Sequence, residues 1–125
     1  MDIKCLDTYA LIEIHNKNPK FLVYINENVI ITDLTLTEFY GTLYRKYNIQ
    51  TAEYWYKKLV SISQSLSKET LIKAMKYKID NNTRNLSFFD CAGYIFAKEN
   101  NFKFVTGDKE FKNKEDVEWI GKDNY

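Results

Sequence analysis

Asp7, Glu38, Asp90 and Asp108 each stand at the edge of an apolar stretch, far apart along a chain of 125 residues. Asp7 closes the run Ile3 to Leu6, and Asp108 follows Phe104-Val105 after Thr106-Gly107. Glu38 and Asp90 lie at the starts of segments with helical apolar spacing. Four carboxylates gathered in one place suit a hard cation such as Mg²⁺, which takes oxygen ligands and keeps room for water and phosphate oxygens. Two such ions can activate water and neutralise the leaving oxygen of a phosphodiester. Without cations, clustered carboxylates repel one another and some of their pKa values rise, so the cluster makes sense chiefly as a metal site. His15, Cys5 and Cys91 are the softer ligands available, too few and too scattered to favour zinc.

Each acid also has a purely structural explanation. Thr35-Leu36-Thr37-Glu38 fits a capping box, in which the Glu returns to the cap amide. Ser87-Phe88-Phe89-Asp90 fits the related pattern of Ser followed three residues later by an acid. Asp7 before Thr8 suits a helix N-cap, and Asp108 after Gly107 suits a turn. Only their joint placement favours chemistry.

That placement depends on the elements. Ile3 to Leu6 reads as a buried strand, and Thr8 to Ile14 as a helix ended by Asn16 to Pro19. A short helix over Lys20 to Asn26 precedes the β-branched strand Val29-Ile30-Ile31. Leu36, Phe39, Tyr40, Leu43, Tyr44 and Tyr47 form a helical stripe. Ala52 to Ser63 reads as a helix, with Val60-Ser61-Ile62 open to a brief strand instead. Ser67 caps a helix carrying Leu71, Ile72, Met75 and Ile79, and Phe88, Phe89, Ala92, Ile95 and Phe96 mark another. Phe102 to Val105 and Val117 to Ile120 complete the strands. Helices alternating with short apolar strands predict an α/β architecture: a mostly parallel sheet with helices on both faces, in a single domain over residues 1–125. Ligands of such sheets collect outside the carboxyl ends of the strands, where Asp7 and Asp108 fall.

Composition bounds the rest. With 45% hydrophobic and 16% aromatic residues, four Gly and one Pro, the chain can bury a core without disulfides. No apolar run approaches the ~20 residues that cross a bilayer. Met1-Asp2-Ile3-Lys4 lacks the layout of a signal peptide, and Cys5 and Cys91 sit in apolar stretches as reduced thiols. The expectation is a cytoplasmic protein without a membrane partner. The net charge is +1, so contact with nucleic acid requires local positive charge. Ser67 to Arg84 carries five basic residues (Lys68, Lys73, Lys76, Lys78, Arg84) against two acids, whereas Asp108 to Tyr125 carries six acids against four lysines. Arg45, Lys46, Lys57 and Lys58 are further phosphate contacts in prospect, with solvated surface as the default. His15 reads as a surface residue. Consecutive aromatics at Tyr54-Trp55-Tyr56 cannot share one helix face, so at least one faces solvent or a partner, and a dimer contact or partner groove suits them better than base stacking.

Leu6-Asp7-Thr8-Tyr9-Ala10-Leu11-Ile12 resembles the opening of PIN-domain proteins, in which a strand delivers an Asp followed by Thr or Ser. Leu34-Thr35-Leu36-Thr37-Glu38-Phe39 is similar to the family's second block, Leu86-Ser87-Phe88-Phe89-Asp90-Cys91-Ala92 to its third, and Phe104-Val105-Thr106-Gly107-Asp108-Lys109-Glu110-Phe111 to its fourth. The resemblance implies a three-layer α/β/α sandwich and Mg²⁺- or Mn²⁺-dependent endoribonuclease activity. It implies Asp7, Asp90 and Asp108 as metal ligands, direct or through water, and Glu38 as a ligand of a second ion or the group orienting the attacking water. Thr8 and Thr106 would support the carboxylates by hydrogen bonds. Small members resemble the toxin half of VapBC toxin–antitoxin pairs, which implies RNA as substrate, a homodimer and an antitoxin partner. The chain departs from the pattern at Tyr9, where a small Ser is common, and at Glu110, where an Asp is frequent. Other classes remain in view: a PIN RNA-processing nuclease outside toxin pairs, a Mg²⁺-dependent phosphatase or phospho-acceptor domain, and a non-catalytic module. The haloacid-dehalogenase pattern needs a second Asp at the position of Tyr9.

Overall fold

A computed structural model describes residues 2–81 and 85–121. The element order is β1 (Lys4–Leu6), α1 (Thr8–His15), α2 (Pro19–Leu22), a 3₁₀ turn (Val23–Asn26), β2 (Val29–Thr32), α3 (Asp33–Lys46), α4 (Ile49–Leu59), a 3₁₀ turn (Val60–Ile62), β3 (Ser63–Gln64), α5 (Lys68–Asp80), α6 (Phe88–Glu99), β4 (Lys103–Thr106), a 3₁₀ turn (Lys109–Phe111) and β5 (Val117–Trp119). The sheet runs β3-β2-β1-β4-β5, and every neighbouring pair is parallel. Central β1 pairs Cys5 with Ile30 of β2 on one side and with Phe104 of β4 on the other.

Because successive strand residues face opposite ways, the central strands feed two cores at once. Leu6, Ile31 and Val105 join Ala10, Leu11, Phe21, Phe39, Leu43 and Ala52 beneath α1, α3 and α4. Cys5 and Phe104 join Ala74, Cys91, Ala92, Tyr94 and Phe111 beneath α5 and α6. This is the α/β sandwich with helices on both faces, and the apolar strand runs follow from burial on both sides. Both cysteines are free and buried, and burial pushes the Cys5 thiol up to about 12 and the Cys91 thiol up to about 11. Among the described residues no helix is long and apolar enough to cross a membrane.

Several local expectations are corrected. The region expected as a helix from Lys20 to Asn26 is one α-turn begun at Pro19 and continued as 3₁₀. Val60–Ile62 is a 3₁₀ turn, and the strand follows it at Ser63–Gln64, pairing with Ile31 and Thr32. His15 is half-buried, its Nδ1 accepting from the Trp55 indole N–H at 3.0 Å and its ring edge-on to Tyr47. As expected of consecutive aromatics on one helix, Tyr54 and Tyr56 are exposed, while Trp55 turns inward to Phe39. Arg84 of the basic segment and residues 122–125 of the acidic tail lie outside the described residues.

The main correction concerns α3, which begins three residues ahead of the expected capping box. Thr32, at the end of β2, is the N-cap, and its hydroxyl oxygen accepts from the Thr35 amide at 3.0 Å. Thr35 is therefore inside the helix, and Glu38 falls in its second turn, out of reach of any cap. Thr32→Ala should cost about 1 kcal/mol in thermal or urea unfolding, the usual worth of a Thr cap.

Candidate active site

Outward from β1, the sheet builds β2 and β3 on one side and β4 and β5 on the other. The chain order thus reverses between β1 and β4, the place where open α/β sheets bind ligands at their carboxyl ends. The residue that leaves β1 is Asp7, and β4 exits through Gly107 into Asp108. Those two acids flank the switch point.

Asp7 is buried in extended backbone as the N-cap of α1. Its Oδ1 accepts from the Ala10 amide at 2.8 Å, so the capping explanation holds for one oxygen. The other, Oδ2, is buried with no hydrogen-bond partner. Burial first, then repulsion from Asp90 and more weakly from Asp108, holds the Asp7 carboxyl well above the usual carboxylate range. The Thr106 hydroxyl and the Ala10 amide oppose that rise. The Thr106 hydroxyl relieves the charge by proximity, falling short of hydrogen-bond geometry to Oδ2.

Asp90 stands in the first turn of α6, whose N-cap is Ser87. The Ser87 hydroxyl accepts from the Asp90 amide at 3.1 Å and donates to Asp90 Oδ2 at 2.9 Å. The reciprocal bond of a capping box, from carboxylate to cap amide, is replaced by this hydroxyl contact. Burial pushes Asp90 up to about 6, against the help of Ser87, with Glu38 and Asp108 adding repulsion.

Glu38 reaches from α3 toward α1, where Oε1 accepts from the Thr8 hydroxyl beside Asp7. Asp108 caps the following 3₁₀ turn through Oδ1, which accepts from the Glu110 amide at 3.0 Å. Its own amide donates to Thr106 Oγ1 at 3.0 Å, and its carbonyl accepts from the Trp119 indole N–H at 3.0 Å. All four acids therefore share one neighbourhood: Asp90 feels Glu38 and Asp108, and Asp7 feels Asp90 and Asp108. Since Glu38 caps nothing, Glu38→Gln should leave stability within about 0.5 kcal/mol, which chemical denaturation would check.

Among the described residues no three His, Cys, Asp or Glu side chains form a ready-made ion cage. The donor set still fits a hard cation, because Mg²⁺ usually binds one or two carboxylates and keeps several waters. A buried, unpartnered carboxylate oxygen amid like charges is the feature a cation would relieve. No sequence motif points to Trp119 as a partner of Asp108; the signal is a half-buried indole N–H in the last strand that needs an acceptor.

The PIN domain family matches residues 4–117. Similar folds include VapC20 of Mycobacterium tuberculosis, a sarcin-ricin loop cleaving toxin, with TM-score 0.70, 13% identity, and 82% of this chain and 86% of that chain covered. A toxin–antitoxin complex from Klebsiella pneumoniae gives TM-score 0.71 and 14% identity over 94% of this chain and 99% of that one. VapBC-1 from nontypeable Haemophilus influenzae gives 0.69 and 17% over 95% and 97%. At these identities the likeness is one of fold. No curated protein matches the chain in sequence. Since the family match runs from the first residue of β1 to the first of β5, the chain belongs to the PIN-domain family.

Proposed function

We propose that the chain is a Mg²⁺- or Mn²⁺-dependent endoribonuclease, the toxin of a VapBC-type pair. The observation that carries this reading is the buried, unpartnered Oδ2 of Asp7 at the topological switch point, inside the field of Asp90 and Asp108. A bound divalent cation would neutralise charge on the scissile phosphodiester and acidify its water. Asp7, Asp90 and Asp108 would hold it, directly or through water. Glu38, fixed through Oε1 by the Thr8 hydroxyl, would orient the attacking water. Thr106 steadies the pair of aspartates by accepting the Asp108 amide and lying against Asp7.

Solved relatives that are toxin–antitoxin complexes support an antitoxin partner. An apolar cleft of about 450 Å³ lined by Tyr24, Ile25, Tyr54, Trp55 and Leu59 supports the same reading. Exposed Ile72, Met75 and Ile79, at helical spacing on α5, support a homodimer.

Incubation of purified protein with single-stranded RNA and Mn²⁺, with and without chelator, tests the activity. Metal-dependent fragments that vanish in Asp7→Asn are expected. Hydrolysis of a small phosphomonoester with intact RNA would instead mark a phosphatase and overturn the proposal.

A further inference from the structure

Gly107 immediately precedes Asp108, and its backbone does not require glycine, since no glycine among the described residues has positive φ. The space does. A Cβ built there would lie 2.1 Å from Tyr9 Cε1, 2.5 Å from Cζ and 2.6 Å from Cδ1, far inside van der Waals contact. The Tyr9 ring thus fills the volume a side chain at 107 would need. Tyr9 sits two residues after Asp7, so its ring spans the two segments that deliver Asp7 and Asp108. Tyr9 is half-buried, and on its inner side retreat is limited by the fully buried Phe21 ring, with centroids 6.0 Å apart. The Asp108 turn is held at the same time by Thr106 and by the Trp119 indole.

We propose that Tyr9 is a positioning residue whose ring, seated in the space left by Gly107, sets the separation of the Asp7 and Asp108 carboxylates and thereby the affinity for a divalent cation. The inference rests on the nuclease reading above. It also accounts for a large aromatic standing where the family commonly has Ser: ring and glycine are a size-matched pair, 98 residues apart in sequence. The atoms that meet the Cβ are the ring carbons Cδ1, Cε1 and Cζ, all of which phenylalanine keeps.

The test measures Mn²⁺ binding by calorimetry without RNA, alongside melting temperature in chelator, for the wild type, Tyr9→Phe, Tyr9→Ser, Gly107→Ala and the double variant Tyr9→Ser/Gly107→Ala. Tyr9→Phe should bind within about twofold of wild type, whereas Gly107→Ala should weaken binding by about tenfold or more, as losses around a metal site do. In the Tyr9→Ser background, adding Gly107→Ala should cost less than about twofold, because the ring it strikes is gone. Equal penalties in both backgrounds would overturn the inference, as would wild-type affinity in Gly107→Ala. If Gly107→Ala does not fold, Tyr9→Ser decides, and it should bind several-fold more weakly than Tyr9→Phe. A change in melting temperature with unchanged Mn²⁺ affinity would reduce Tyr9 to packing. Absence of Mn²⁺ binding by the wild type itself would sink the nuclease reading, and this inference with it.

Discussion

Asp7→Asn should abolish RNA cleavage and raise the melting temperature in the same protein. The two effects have one cause. At neutral pH folding either buries charge at Asp7 or keeps there a proton that the unfolded chain has released, and both cost stability, because the carboxyl is buried, has an unpartnered oxygen and faces Asp90 and Asp108. Asparagine removes the charge yet keeps an oxygen to accept from the Ala10 amide, and Asn is as good an N-cap as Asp. Its amide nitrogen would take the place of Oδ2, beside the Thr106 hydroxyl, which can accept from it. Relief of that cost should gain about 1–2 kcal/mol in the metal-free protein, the common return when a functional strain is removed. For a domain of this size that is roughly 3–10 °C. Loss of the anionic ligand should lower cleavage by at least about 100-fold, more than mutation of groups behind a ligand usually does. Calorimetry and a gel assay on the same preparation check both halves. A less stable variant that still cuts RNA would mean that Asp7 is only a helix cap.

Much of this arrangement is legible in the residues themselves, for reasons that also explain where legibility ends. The strands announce themselves because burial on both faces demands short apolar runs such as Cys5-Leu6 and Phe104-Val105. The acids at the ends of those runs are visible for the same reason. Their convergence is another matter: it depends on β1 lying between β2 and β4, and strand order is not written in any local pattern. The start of α3 is hidden in sequence because Asp33 and Leu34 precede the regular apolar stripe, while the cap at Thr32 belongs equally to the strand before it. That shift matters chemically, since it removes the capping explanation from Glu38. His15 reads as a surface residue because its partner Trp55 lies 40 residues away. The Tyr9 ring over Gly107 is likewise invisible along the chain, where Gly107-Asp108 suits a turn. Pairings made by the fold escape a reading that works along the chain.

A second large effect concerns pH and metal together. In the metal-free protein, burial and like charge raise Asp90 to about 6 and hold Asp7 above its ordinary value. The folded state then keeps protons that the unfolded chain has already released. The contribution of Asp90 to stability must therefore fall as pH rises from about 4, where unfolded carboxylates ionise, to about 6, and that of Asp7 falls in the same direction. Glu118 works in the opposite direction: burial alone would raise its carboxyl, but hydrogen bonds from Lys4 and Tyr24 together lower it, and the stability it adds is lost as pH falls. The difference in melting temperature between the wild type and Asp90→Asn isolates the acidic cluster from that background, and it should widen in favour of the variant over this window. Divalent cations bind the ionised acids, so the stability that Mn²⁺ adds should be small at pH 4.5 and grow toward pH 7.5. At 100 times its dissociation constant the ion should contribute about 2.7 kcal/mol. Melting curves in chelator and in Mn²⁺ across that range measure it directly. An increment that is absent at pH 7.5, or the same at both ends, would show that the four carboxylates do not share an ion.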